Sequence, residues 1–107
     1  MERRTEDEID ELTRYETDGV GIGGTRRVGT ARASRKELRR HFGEPSNGYP
    51  KTTYHWSVRF PDGTVATIYD YHQSNRHASE DETVKWSVGG QNSDATELLS
   101  FLGLDVS

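Results

Sequence analysis

Two runs of alternating apolar and polar residues set the pattern of this chain. Tyr54-His55-Trp56-Ser57-Val58-Arg59-Phe60 and Thr64-Val65-Ala66-Thr67-Ile68-Tyr69-Asp70 are rich in β-branched and aromatic residues and flank Pro61-Asp62-Gly63. The arrangement predicts a β-hairpin, because proline presets φ for a type I turn and glycine takes the left-handed position after it. A three-residue loop between Phe60 and Thr64 pairs Trp56 with Ile68, Val58 with Ala66 and Tyr54 with Asp70. One face of the hairpin then carries Tyr54, Trp56, Val58, Phe60, Ala66 and Ile68, a core face. The other carries His55, Ser57, Arg59, Val65, Thr67, Tyr69 and Tyr71, an amphipathic surface with ring side chains around one guanidinium. Left exposed, its aromatic members form a patch suited to a partner or to a second copy of the chain.

The same reading extends in both directions. Thr5-Glu6-Asp7-Glu8 matches a capping box with Ile9 and Leu12 at helical spacing, predicting a short helix over about 6–16. Residues 25–33 have weak strand character. Ser34-Arg35-Lys36-Glu37 is a second capping box and opens a helix over 34–42, with Leu38 and Phe42 inward, Gly43 after the last turn and Pro45 barring continuation. The polar stretch 73–83 reads as a mobile loop. Val84, Trp86 and Val88 share a face of a third strand that Gly89-Gly90 is expected to end. Asn92-Ser93-Asp94 caps a helix over 95–102, covered by Leu98, Leu99, Phe101 and Leu102 and stopped by Gly103. Together these predict an α+β fold: an antiparallel sheet of three or four strands, two helices packed on one face, and a short N-terminal helix. Residues 1–24 form an acidic, partly flexible segment and residues 25–107 a single domain.

Composition narrows the function. Apolar residues make up only 30% of the 107, so the core is small. No cysteine is present, which removes disulfide and thiolate chemistry. No apolar run approaches a membrane span and no signal-peptide pattern opens the chain, so a cytoplasmic location without membrane contact is expected. His41, His55, His72 and His77 lack metal-ligand spacing, and neither a nucleophile elbow nor a base with its orienting partner is visible. Gly19-x-Gly21-x-Gly23-Gly24 has neither the dinucleotide spacing nor the Gly-Lys-Ser/Thr ending of a phosphate loop. No enzyme activity, cofactor or metal is therefore expected.

Charge is placed unevenly within a net of −4: residues 19–43 carry seven of the 14 basic residues against one acid. Arg35, Lys36, Arg39 and Arg40 lie on one short helix, and Arg26, Arg27 and Arg32 lead toward it. An anion or acidic partner is the chemistry this suits, with Arg32, Ser34, Arg35, Lys36, Arg39 and Arg40 as binding residues and the helix N-terminus at Ser34 as a small-anion position. The bland alternative is a solvated helix face neutralised by the acidic N-terminal segment. On the sheet, His55, Arg59, Tyr69 and Tyr71 are the candidate binding residues.

Val28-Gly-Thr-Ala-Arg-Ala-Ser34, Phe42-Gly-Glu-Pro45, Trp56-Ser-Val-Arg-Phe-Pro-Asp-Gly-Thr-Val-Ala-Thr-Ile-Tyr-Asp70 and Trp86-Ser-Val-Gly-Gly90 together resemble a group of small, uncharacterised proteins carried by bacteriophages of actinobacteria. The resemblance covers about residues 28–102, and Ser87 stands where that group has a histidine. It implies a phage gene product acting in a bacterial cytoplasm and carries no functional residue with it. The expected function is a non-enzymatic accessory protein that binds and modulates a bacterial host protein, such as an anti-defence inhibitor of the anti-CRISPR type. A nucleic-acid or nucleotide binder is the alternative, and a virion structural or assembly component the second. A homodimer through the sheet face is compatible with each.

Overall fold

The computed structural model describes residues 11, 14–17, 20–46, 54–70, 75–92 and 94–107. Within them the alternating runs are strands and the capped runs helices: β1 (Arg26–Ala33), α1 (Arg35–Phe42), β2 (His55–Arg59), β3 (Val65–Tyr69), β4 (Val84–Gly90), α2 (Asp94–Phe101) and β5 (Asp105–Val106). Every strand pair is antiparallel, and the five form one sheet in the order β2-β3-β4-β1-β5. The class is the predicted α+β, with one strand beyond the three or four expected. That strand is β5, which pairs with Ala31 and Arg32 and is too short for alternation to show.

The hairpin has the predicted register, with His55 opposite Tyr69, Trp56 opposite Ile68, Ser57 opposite Thr67, Val58 opposite Ala66 and Arg59 opposite Val65. Phe60 N–H donates to Thr64 O at 2.8 Å, Gly63 N–H donates to Phe60 O at 2.9 Å, and Gly63 holds a φ of 89°. A residue with a Cβ is strained at that angle, so the glycine closes the loop and fixes its length.

Leu38 and Phe42 of α1, Ala95, Leu98 and Leu99 of α2, and Trp56, Val58, Phe60, Ala66, Ile68, Trp86 and Val88 of the sheet side form one buried cluster. Both helices therefore pack on the same face of the sheet, each through the apolar stripe its spacing gives it. At the centre Trp56 and Trp86 meet edge to face at 5.3 Å. Their indole N–H groups donate to Gly43 O and Ala33 O at 2.9 Å each, which joins α1 and β1 to the rings and leaves neither donor unsatisfied.

Three local features differ from expectation. Strand β4 continues through Gly89 and Gly90 instead of ending there. A Cβ on Gly89 would lie 2.3 Å from Thr67 Oγ1, and one on Gly90 2.6 Å from the Cβ of Ala95, so these glycines admit a close approach within the sheet and against α2. The expected N-terminal helix lies largely outside the described residues. Tyr15, at its end, packs on Phe42 and Phe60 at 5.3 and 6.0 Å and donates its hydroxyl to His41 O, while Glu16 exchanges two 2.8 Å backbone hydrogen bonds with Arg59 on the outer edge of β2. The polar loop before β4 is tied down: Asn75 Nδ2 donates to Lys85 O at 2.9 Å, and Glu80 O accepts from Lys36 N–H at 3.1 Å.

Gly89→Ala is expected to destabilise the fold by about 2 kcal/mol through overpacking against Thr67. Adding Thr67→Ala recovers most of that loss, because it removes the oxygen in the way. Urea unfolding midpoints of the two variants and the parent check both statements.

Candidate functional site

The two layers divide the candidate binding residues between opposite sides of the molecule. Since α1 turns Leu38 and Phe42 to the sheet, its charged positions look away from it. They border an open groove of about 440 Å³ lined by Ser34, Lys36, Glu37, Arg39, Arg40 and Glu44. Much of the helix's positive charge is already matched, by the loop before β4 and by Glu44. Arg39 pairs with Glu80 and, at 3.2 Å, with Glu44; Lys36 lies 3.8 Å from Asp81. Arg35 is half-buried, donates to Tyr54 Oη at 2.8 Å and Ala78 O at 2.6 Å, and sits 4.7 Å from the centre of the Tyr54 ring. It holds loop and sheet together through desolvated hydrogen bonds and a cation–π contact. At the N-terminus, Ser34 Oγ accepts from Glu37 N–H at 3.1 Å and Glu80 O accepts from Lys36 N–H at 3.1 Å, so two donors that would face an anion have acceptors within the chain. Arg40 remains exposed.

Arg32 belongs to the other side. Opposed residues of antiparallel strands share a face, so the registers order the helix-free face into rows. One row is Lys85, Arg32 and Asp105; the next is His55, Tyr69, Ser87 and Thr30; a third is Ser57, Thr67, Gly89 and Arg27; a fourth is Arg59 and Val65. No described helix lies on this face. Thr67, Ser87 and Gly89 are buried, while Arg27, Arg32, Lys85 and Arg59 are exposed. Arg59 is paired with Glu16. Arg26 and Arg27 stand at the start of β1, seven or eight residues and roughly 25 Å from Ser34, so they do not reach the α1 N-terminus as their order suggested.

His55 corrects the picture of an exposed aromatic face. It is only 4% exposed and stacks on the half-buried Tyr69 at 5.8 Å and 28°. Burial lowers its pKa to about 4, against the attraction of the Asp70 carboxylate. Asp70 is fully buried, and its Oδ1 accepts from Tyr54 N–H at 2.8 Å, which makes it a closing clamp at the open end of the hairpin. Tyr71 lies outside the described residues. Sequence reasoning did not single out Lys85; its place between Val84 and Trp86 in an alternating strand was the available signal. Among the described residues no three His, Asp or Glu come together to hold a metal, and no helix is long and apolar enough to cross a membrane. No family model, curated protein or solved structure matches the chain.

Two outcomes follow from these contacts. Arg35→Ala is expected to cost about 2 kcal/mol of stability, from its hydrogen bonds and ring contact, whereas Arg40→Ala leaves the thermal midpoint unchanged. His55 is neutral in the native state above about pH 4, while the unfolded chain takes up a proton below the ordinary 6.5. Its contribution is thus fully present above pH 6.5 and is lost as pH falls toward 4, a change of up to about 3 kcal/mol. His55→Gln flattens stability over that window; an unchanged slope contradicts the assignment.

Proposed function

We propose that this chain is a non-enzymatic binding protein that attaches to a bacterial host component through the face of its sheet opposite α1 and α2. The observation that carries the reading is the contrast between the two basic regions. Lys36 and Arg39 are matched by Asp81, Glu80 and Glu44, and Arg35 is built into the fold. Arg27, Arg32 and Lys85 are exposed and make no ion pair with a described residue, in a chain whose net charge is −4. Arg32 and Lys85 stand directly opposite one another. Like charges in opposed positions repel; Asp105, opposite Arg32 in β5, offsets part of that repulsion, and an anionic partner relieves what remains. The resemblance to actinobacterial phage proteins supports a phage accessory protein working in the host cytoplasm, with host modulation of the anti-defence kind as its role.

The test compares two charge-reversed chains, Arg27→Glu/Arg32→Glu/Lys85→Glu on the sheet and Lys36→Glu/Arg40→Glu on the helix, as baits in host lysate. The sheet variant is expected to lose what the parent captures while keeping its thermal midpoint, and the helix variant to retain it. Capture that survives the sheet reversals contradicts the proposed surface.

A further inference from the structure

We infer that the partner meets this chain with an acidic protein helix, whose carboxylates two turns apart reach the Arg32–Lys85 pair at one end and Arg27 at the other. The inference rests on the proposed use of the face opposite α1 and α2 and names the chemistry of its partner.

The strip in question lies on three neighbouring strands, β4, β1 and β5, at the end of the sheet far from β2. Arg32 and Lys85 stand opposite one another, and Arg27 stands opposite Gly89 two rows away. That is about 13 Å along β4. Between the two cationic rows, Thr30 exchanges backbone hydrogen bonds with Ser107, and their hydroxyl oxygens lie 3.2 Å apart. Arg27, Arg32, Lys85 and Ser107 are exposed and Thr30 is half-buried, so the strip is reached without moving the chain. Arg27 and Lys85 make no ion pair with a described residue, and Asp105 faces Arg32 alone. One carboxylate beside three cations leaves the strip positive.

Backbone hydrogen bonding and charge together choose the occupant. A segment lying on the flat of a sheet receives no backbone hydrogen bonds from it, because those run in the plane to neighbouring strands. A helix satisfies its own and is what sheet faces ordinarily pack against. Residues i and i+7 of a helix share a face and stand about 10.5 Å apart, and the long side chains of Glu, Arg and Lys close the few ångströms that remain. Arg32 is suited to take one carboxylate in a two-pronged hydrogen bond, with Lys85 beside it. A residue at i+3 or i+4 then falls over the Thr30 and Ser107 hydroxyls. Nucleic acid matches the strip less well. Its affinity comes from many phosphates at once, whereas three cations stand here on a chain whose net charge of −4 opposes a polyanion as a whole. A short acidic helix brings only the charges that the strip matches.

Fluorescence anisotropy at low salt, with the full chain and two labelled alanine-based helical peptides of identical composition, tests the inference. One peptide carries Glu at i and i+7, and the other carries Glu at i and i+5, which turns the two acids to different sides of the helix. The first is expected to bind about fivefold more tightly, the value of one exposed ion pair at the upper end of its range. Single-stranded and duplex DNA 12-mers at equal concentration of negative charge leave it bound. The sheet charge reversal abolishes peptide binding, Lys36→Glu/Arg40→Glu leaves it intact, and Arg27→Ala removes the preference between the two peptides. Absence of binding by the i,i+7 peptide, equal binding of both peptides, binding that persists in the sheet reversal, or displacement by DNA overturns the inference. So does a dimer in sedimentation that the sheet reversal dissolves, which assigns the face to a second copy. If the peptides fail while the sheet reversal still abolishes lysate capture, the face stands as a binding surface and only its acidic-helix partner is withdrawn.

Discussion

Gly63 closes a three-residue loop that admits one pairing of β2 with β3, and the character of both sheet faces follows from that pairing. Side chains alternate with a period of exactly two along a strand, so a slip of one residue would place Trp56, Val58 and Ile68 in water and bring Ser57 and Thr67 into the core. The apolar cost of such a slip is far larger than any surface interaction the chain makes. With the register set, Trp56 reaches Trp86 and the Gly43 carbonyl, which brings β4 and the end of α1 into place. The same constraint sends Arg59, Thr67 and Tyr69 to the face opposite α1 and α2.

That face and the outer surface of α1 are treated differently by the rest of the chain. The loop before β4 supplies Glu80 and Asp81 to Arg39 and Lys36, at surface positions where each pair adds little stability. Their main effect is on potential, because the helix no longer presents its full positive charge. Arg27 and Lys85 make no ion pair with a described residue, and Arg32 faces Asp105 across the β1–β5 pair. Glu80, Asp81 and Glu44 thus lie against the helix, and the distribution of charge, more than the net charge, decides where an anion is drawn.

Much of the architecture is legible in the sequence because it is encoded locally. The hairpin, its register, α1 with its Ser34 cap and α2 with its leucines each follow from residues within one turn or one loop. What escapes is set by contacts between distant segments. Tyr15 reaches Phe42 and Phe60 across the fold, and Glu16 completes the edge of β2, although neither residue carries a periodic signal. Gly89 and Gly90 read as a strand end, since local propensity cannot show the approach of Thr67 and Ala95. His55 alternates as a surface residue and is buried all the same, and the described partners of the basic helix come from the polar loop and Glu44. Of the candidate site, Arg32, Arg59 and Tyr69 lie on the face opposite α1 and α2 as strand parity places them, whereas the separation of Arg32 from Arg40 requires the layers to be known.

The most direct test of the account is capture from host lysate by the parent chain, by Arg27→Glu/Arg32→Glu/Lys85→Glu and by Lys36→Glu/Arg40→Glu, each checked for an unchanged thermal midpoint. Loss of capture in the sheet-reversed chain and its retention in the helix-reversed chain are the predicted result. Loss confined to the helix-reversed chain would place the binding surface on the helix side and contradict the central claim.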